Sequence, residues 1–258
     1  MWERLKEIYA YREMLKNLVS KELRARYKGS ILGFFWTFFN PLLMLIVYSF
    51  VFSFIMRSAI EKYTMFLFVA LLPWNYLSGS IIQGAASLVA NASLIKKVYF
   101  PRELLPLSVV LSNLVNYLLS LLILIPALLL FKIRLTWALL AFPLVLLVET
   151  ILVASLTLLV SVGNVYFRDL EHITGVFMTV WFFLTPVVYS TEMAPPNAKK
   201  FFALNPAAHI VEAYRDIFYK GIWPDWNALL YVGLSCLILF CISLLAFQRW
   251  QQAVAEEI

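Results

Sequence analysis

The feature that most constrains this chain is a set of six long apolar stretches, almost free of charged residues. A helix needs about 20 residues, at about 1.5 Å each, to cross the hydrocarbon core of a bilayer. The stretches are residues 31–56, 63–95, 104–131, 135–167, 173–191 and 226–248. Since the second is longer than a membrane requires, we expect its C-terminal part to bend or to leave the membrane.

The composition supports a membrane protein. Hydrophobic residues make up 62% of the 258 residues and charged residues only 14%, whereas a soluble domain carries about a quarter charged residues. A transmembrane β-barrel would show short alternating segments instead. We therefore predict an all-α membrane protein with six transmembrane helices, built as a single transmembrane domain over residues 1–258.

The formal net charge of +6 fits a membrane topology better than nucleic-acid binding. Membrane proteins gather Lys and Arg on their cytoplasmic side, and most basic residues here fall on the side of the N-terminus. We expect cytoplasmic N- and C-termini, with residues 1–30 carrying most of this bias, and no nucleic-acid partner. In that segment Met14, Leu15, Leu18 and Val19 have helical spacing opposite a basic face, which predicts an amphipathic helix at the cytoplasmic membrane surface.

A second amphipathic segment lies within residues 192–225, between the fifth and sixth stretches. Asn205 and Pro206 resemble a helix start and Gly221 a helix stop. The helix between them is too short to cross a membrane, so we predict a pair of re-entrant half-helices dipping into the outer leaflet, with a plain surface helix as the alternative. Its polar face is expected to carry Glu212, Arg215, Asp216 and Lys220.

The motifs of common catalytic sites are missing. No glycine is followed by lysine, so the chain has no P-loop and no route of that kind to ATP binding. The two histidines and two cysteines show no metal-ligand spacing, and we expect no metal, no bound cofactor and no enzymatic activity. Glu149, the one acid within an apolar stretch, is a functional candidate, but the lack of a basic partner favours a hydrogen-bonded packing role.

A series of short motifs resembles one family along nearly the whole chain. The motifs are residues 23–33 (LRARYKGSILG) with Trp36 and Asn40-Pro41, 72–74 (LPW), 91–103 (NASLIKKVYFPRE), 166–170 (YFRDL), 185–189 (TPVVY), 204–206 (LNP) and 213–215 (AYR). In this order they resemble the membrane subunits of type-2 ABC exporters. The similarity is greatest to the O-antigen type of polysaccharide-export permease (Wzm-like), with teichoic-acid exporters as near relatives.

The resemblance implies partners and a location. It implies a homodimer with two copies of a P-loop ATPase subunit, which holds ATP and Mg. It also implies export of an undecaprenyl-pyrophosphate-linked glycan through the bacterial inner membrane during lipopolysaccharide biosynthesis. The alternatives are a teichoic-acid-type permease, an ATP-independent lipid scramblase or secondary transporter, and a non-transporting scaffold in a glycan-synthesis complex.

The coupling segment, residues 91–103, is the firmest candidate site. It gains basic residues directly after an uncharged stretch and ends near Pro101, which helix interiors disfavour. We predict a short cytoplasmic coupling helix that presses apolar side chains into a groove on the ATPase, against the alternative of an ordinary basic loop. The predicted coupling residues are Asn91, Leu94, Ile95, Lys96, Lys97, Val98, Tyr99 and Arg102.

Two further sites concern the substrate. Arg24, Arg26 and Lys28 precede the first apolar stretch and are candidates for binding the lipid pyrophosphate, although topology and contact with anionic lipids explain them equally well. Aromatic rings stack on the apolar faces of sugars and let a polymer slide. Since the family places the first and fifth spans around the dimer axis, the predicted channel residues are Trp36, Phe39, Trp181 and Phe182, while lipid-facing packing is the alternative for each.

Overall fold

The computed structural model describes residues 2–51, 60–193 and 195–251, and all regular structure in these ranges is helical. The twelve α-helices in these ranges are α1 (Trp2–Ala10), α2 (Arg12–Tyr27), α3 (Trp36–Phe50), α4 (Tyr63–Ala85), α5 (Ser87–Ala90), α6 (Ala92–Lys97), α7 (Leu104–Leu130), α8 (Phe142–Tyr166), α9 (Leu170–Leu184), α10 (Pro196–Leu204), α11 (Pro206–Arg215) and α12 (Trp226–Trp250). A π-helical turn at Asp216–Lys220 continues α11. The predicted all-α class is confirmed.

Five helical segments in the described ranges are long and apolar enough to cross a membrane: Gly33–Phe50, Tyr63–Ala85, Leu104–Leu130, Trp137–Tyr166 and Trp226–Trp250. The fifth predicted span, residues 173–191, overlaps the 15-residue helix α9 (Leu170–Leu184), which begins three residues before it. That helix ends at Leu184, because Thr185 precedes a proline and is therefore disfavoured in helical backbone. The predicted end at residue 191 is wrong, and a sixth span stays a prediction.

The second apolar stretch bends, as predicted from its length. Helix α4 ends at Ala85, and the chain then turns twice into the short helices α5 and α6. For the first stretch, the predicted end at residue 56 lies outside the described residues, and α3 is described up to Phe50.

The buried side chains form two clusters at different levels of the bundle. The larger cluster joins α4, α7, α8, α11 and α12, and includes Phe68, Leu124, Val145, Tyr214 and Val232. The smaller cluster joins α2, α5, α6, α7, α8 and α12, and includes Leu18, Leu88, Ile95, Leu158 and Phe247. We call the two ends of the bundle the α11 end and the α6 end. The predicted amphipathic N-terminal helix is present but is divided at Tyr11, and α2 buries Leu18 in the protein's own core.

Helices α3 and α9 are the least enclosed of the long apolar helices. Helix α3 packs on α4 and α7, and α9 packs on α4 and α8. The outer side of α9 exposes the apolar side chains of Ile173, Val176, Phe177, Val180, Phe183 and Leu184. Apolar area of this kind requires lipid or another protein chain as its neighbour.

Helices α4 and α8 approach each other closely at Gly84. A Cβ atom at this position would lie 2.1 Å from Cγ2 of Thr157, so we expect Gly84→Ala to destabilise the fold by about 1–3 kcal/mol through overpacking. The added change Thr157→Ser removes Cγ2 and is expected to restore most of the loss. Thermal unfolding of the purified protein in detergent measures both effects.

A control is available on α9, where a Cβ atom at Gly175 would meet no atom within 4 Å. We expect Gly175→Ala to leave the unfolding temperature nearly unchanged. A Gly84→Ala protein as stable as the parent, or one that Thr157→Ser does not rescue, would contradict the packing argument.

Candidate functional site

The coupling segment is fixed between the N-terminal and C-terminal helices. Asn91 precedes α6 and donates from Nδ2 to the carbonyl of Ser87 at 2.9 Å, while Nζ of Lys21 on α2 donates to its Oδ1 at 2.8 Å. At the other end of the segment, the Arg102 guanidinium donates to the backbone carbonyl of Gln251, after α12. The segment therefore has a defined position relative to both α2 and α12.

Helix α6 is shorter than the predicted coupling helix. It ends at Lys97, and Val98 has extended backbone with φ −131° and ψ 135°. The side chains of Val98 and Tyr99 are 49% and 86% exposed. They project from an extended strand-like segment, and they form the apolar surface that a partner could contact.

Ile95 does not lie where the sequence predicted it. Its side chain is only 7% exposed and packs in the protein's own core with Leu88 and Phe100. The reason is that α6 folds back against the bundle, so one side of this short helix supports the segment from within. Leu94 also packs partly against this core. The apolar surface left for a partner is consequently carried by Val98 and Tyr99.

A groove of about 420 Å³ runs beside these residues. One wall is the segment from Ile95 to Arg102, and the other is formed by Gln248 and Gln251. Lys96 and Lys97 are exposed on the first wall. The side chains of Val98 and Tyr99 therefore project beside a groove that is bordered by lysines and amides. Such a surface is suited to a partner that has an apolar pocket for the two side chains and acidic or polar residues around it.

The basic residues proposed to bind pyrophosphate do not form one cluster. Arg24 and Lys28 line the same cavity of about 910 Å³, together with Lys21 and Phe34. The Arg26 guanidinium lies elsewhere and donates from Nη2 to Gln83 Oε1 at 2.5 Å and to Asn113 Oδ1 at 2.8 Å. The spacing explains this division. Arg24 and Lys28 are four positions apart and therefore share a side of the helix, whereas Arg26 is two positions from each and points to a different side.

This separation gives a prediction for phosphate binding. Arginine offers bidentate hydrogen bonds to phosphate that lysine does not. We expect Arg24→Lys to weaken binding of undecaprenyl pyrophosphate about fivefold, by loss of about one hydrogen bond. Arg26→Lys, the matched control, is expected to change it little because the Arg26 guanidinium is held by two amides. Titration of the lipid into the purified protein in nanodiscs distinguishes the two, and equal effects would contradict the separation.

The predicted channel residues form two pairs, and within the described residues no aromatic ring contact joins one pair to the other. Trp36 donates from Nε1 to Ser30 Oγ at 2.9 Å and meets Phe39 edge to face at 6.4 Å between ring centroids. Trp181 and Phe182 both pack on Trp74, at 5.9 and 5.6 Å. Helix α4 packs against both α3 and α9, the helices that carry the two pairs.

Asn205 connects the end of α9 to the start of α11. Its side chain accepts from the backbone N–H of Ala207, as predicted for a helix cap, and also from Nε1 of Trp181 at 3.0 Å. Its Nδ2 donates to Thr185 Oγ1 at 3.0 Å. One amide thus fixes both the helix start and a predicted channel residue.

Arg215 was expected on the polar face of its helix, but its side chain is fully buried. It donates from Nη1 to the carbonyl of Pro186 at 2.5 Å and from Nη2 to that of Val187 at 2.6 Å, and it lies 3.6 Å above the ring of Phe66. Burial lowers its pKa to about 10, so it stays charged at neutral pH. The TPVVY and AYR motifs both belong to the family resemblance, but nothing in the sequence indicated that these two segments are in contact.

The same helix reaches Glu149. The Tyr214 hydroxyl donates to Glu149 Oε2 at 2.6 Å, and both side chains are buried. This is the hydrogen-bonded packing arrangement that was favoured for the lone acid. It also shows that α11 packs among the long helices α4, α8 and α12, while the predicted insertion of α10 and α11 into the outer leaflet stays a prediction.

Comparison with known proteins identifies the family. A family model described as ABC-2 type transporter matches residues 13–219. The chain is 38% identical over 256 residues to the O-antigen export system permease protein RfbA of Myxococcus xanthus, covering 98% of each chain. It is 31% identical over 247 residues to a Klebsiella pneumoniae protein of the same name, covering 95% of this chain and 94% of the relative. It is 22% identical over 249 residues to the polysialic acid transport protein KpsM of Escherichia coli, covering 92% and 93%. Since the family model and the first relatives cover most of the chain, this protein belongs to the ABC-2 type transporter family and is a multi-pass membrane permease.

Proposed function

We propose that this chain is the permease subunit of an ATP-driven exporter that moves a lipid-linked polysaccharide of the O-antigen type across the bacterial inner membrane. The observation that carries the proposal is its nearly full-length similarity, at 38% and 31% identity, to two O-antigen export permeases. The undecaprenyl-pyrophosphate-linked glycan is the proposed substrate, and we assign contact with its phosphates to Arg24 and Lys28, which line one cavity.

A separate ATPase subunit supplies the energy in this proposal. The sequence contains no P-loop, and the coupling segment presents Val98 and Tyr99 beside a groove at the α6 end of the bundle. Two ATPase copies dock there, hold ATP and Mg, and pass the conformational change to the spanning helices through the α6-end core. The chain itself is a transport component and not an enzyme.

The proposed assembly contains two copies of this chain in the inner membrane. The exposed apolar sides of α3 and α9 give each copy a surface for its partner. The excess of basic residues before α3 supports cytoplasmic termini, with the α6 end in the cytoplasm and α10 and α11 in the outer leaflet.

The test is export in cells together with purification of the complex. We expect the tagged chain to co-purify with a P-loop ATPase encoded next to it, and surface glycan to disappear when the Walker-A lysine of that ATPase is replaced. Export that continues without ATP hydrolysis would indicate a scramblase or secondary transporter. Surface glycan that is unaffected by deletion of this chain would contradict a transport role, and a teichoic-acid-type product would change the substrate only.

The aromatic residues provide a separate prediction about the path of the glycan. We propose that Trp36, Phe39, Trp181 and Phe182 contact the moving sugar chain. We expect the single alanine variants to slow the export of long glycan chains several-fold while the ATPase still assembles, because the sugar rings lose stacking surfaces. Pulse-labelled glycan, separated by length on gels, measures this effect. Trp137, which is 80% exposed at the α11 end, provides the control Trp137→Ala, and four alanine variants that export like this control would contradict the aromatic path.

A further inference from the structure

A polar pocket of about 230 Å³ lies between α3, α4 and α7. Side-chain amides from all three helices line it: Asn40 from α3, Asn75 and Gln83 from α4, and Asn113 and Asn116 from α7. Arg26 and Trp36 also belong to its lining. Amides on membrane-spanning helices are costly unless they meet polar partners, so this concentration is unlike a lipid-facing surface.

Asn116 shows that the pocket has unused hydrogen-bonding capacity. Its Oδ1 and Nδ2 atoms are both shielded from solvent, and neither has a hydrogen-bond partner in the described part of the chain. Buried amides of folded proteins are nearly always hydrogen-bonded, and an unpartnered one calls for an explanation such as a bound group. Within the described residues the one other side chain of this kind is Thr157, which is on α8 and does not line the pocket.

The pocket extends along the spanning helices from their α6 end. Gln83 and Asn75 are eight positions apart in α4, which corresponds to about 12 Å along the helix, and both side chains are exposed on the chain's surface. Gln83 is close to the end of α4 at Ala85, and Asn75 is near the middle of the helix. A ligand that enters at the α6 end can therefore reach from the membrane surface to the middle of the span.

The lining favours a neutral, hydroxyl-rich ligand. Each amide offers both donors and acceptors, the combination that a sugar hydroxyl also provides. Arg26, the one cation that the described residues contribute to the lining, already donates to Gln83 and Asn113, which argues against a dedicated phosphate site. Among the described residues no carboxylate belongs to the lining, so cation binding is not favoured. Trp36 contributes an aromatic ring to the lining.

We propose that this pocket is a saccharide subsite, which holds one sugar ring of the glycan through the Asn75 and Asn116 amides in the half of the membrane next to the α6 end. The inference rests on the proposed function, since it assigns a place to the substrate of that exporter. It adds a contact distinct from the aromatic residues on α9 and from the cavity of Arg24 and Lys28.

The first arm of the test compares Asn116→Leu with Thr157→Val. Each substitution removes a buried polar group without a partner, so neither is expected to weaken folding. If the Asn116 amide binds a hydroxyl, Asn116→Leu slows glycan export at limiting substrate about tenfold, and Thr157→Val leaves it unchanged. Surface glycan per copy of permease, with the melting temperature of each variant, gives the comparison. Equal export by the two well-folded variants would overturn the subsite.

The second arm does not depend on the stability of Asn116→Leu. A photoreactive p-benzoylphenylalanine replaces Asn75, and in a control chain it replaces Leu118, which is exposed on α7 and outside the pocket lining. After illumination of cells that make the glycan, adducts are detected by periodate oxidation and hydrazide labelling, which require only vicinal diols. A diol-bearing adduct from position 75 and none from position 118 is the expected result.

Other outcomes overturn the subsite in distinguishable ways. If the chain with the photoreactive residue at position 75 still exports glycan but forms no glycan adduct, the subsite is wrong and the proposed function stands. An adduct between two copies of the chain at position 75 would mean that the amides meet across a chain–chain interface instead. If surface glycan does not depend on this chain at all, the proposed function fails first, and the subsite fails with it.

Discussion

The double variant Val98→Asp/Tyr99→Asp is expected to abolish export while the permease still folds and inserts. Both side chains project from the extended segment after α6, with exposed fractions of 49% and 86%, so their replacement leaves the core intact. An interface that buries them would have to bury two carboxylates without partners, which costs several kcal/mol and weakens ATPase docking about a hundredfold or more. Stimulation of ATP hydrolysis by the permease should disappear together with export.

The measurement is ATP hydrolysis and glycan export by the reconstituted complex, with co-purified ATPase determined on gels. The matched control Val98→Ile/Tyr99→Phe preserves the apolar surface and is expected to export normally. Ile95→Asp makes a second comparison, since it places a carboxylate in the α6-end core beside Leu88 and Phe100 and should reduce the amount of folded permease instead. Normal export by the double aspartate variant would show that the ATPase couples elsewhere.

Local sequence signals predicted much of this architecture because their physical causes are local. Runs of apolar residues identified the long helices, and Asn205, Pro206 and Gly221 marked the ends of α11 and its π-helical extension correctly. Gly221 has the left-handed φ of 69° that a helix stop requires. The bend after α4 followed from length alone, since the stretch exceeded what a membrane accommodates.

The candidate sites depended more on contacts between distant segments, which periodicity does not contain. The charge of Arg215 suggested a polar face, but the carbonyls of Pro186 and Val187 come from the loop after α9 and make a buried position possible. The amphipathic pattern predicted the same exposed position for Ile95 and Val98. In the structure Ile95 is buried in the core and Val98 is exposed. The polar pocket could not be predicted from the sequence for the same reason, because its amides come from three different helices.

Substitution of Arg215 is expected to have the largest effect on stability. Arg215→Met keeps much of the side-chain volume but leaves buried carbonyls at Pro186 and Val187 without their donors, and it removes the cation above Phe66. Breaking a buried, hydrogen-bonded charged group costs about 3–5 kcal/mol. Arg215→Lys is expected to recover only part of this loss, because a single ammonium lacks the planar fork that serves two carbonyls at once.

Lys220 provides the matched control on the same segment. Its ammonium pairs with Glu212 at 2.7 Å and Asp216 at 2.9 Å, but its side chain is 39% exposed, so Lys220→Met is expected to cost only about 0–1 kcal/mol. Thermal unfolding in detergent ranks the variants, and proteolysis near residues 185–189 reports whether the loop after α9 has left α11. If Arg215→Met unfolds at the same temperature as Lys220→Met, the guanidinium does not hold these segments together. If proteolysis shows that the loop is released while the unfolding temperature changes little, Arg215 stabilises mainly the connection between α9 and α11. Asn205 lies in the same connection and accepts the hydrogen bond from Trp181.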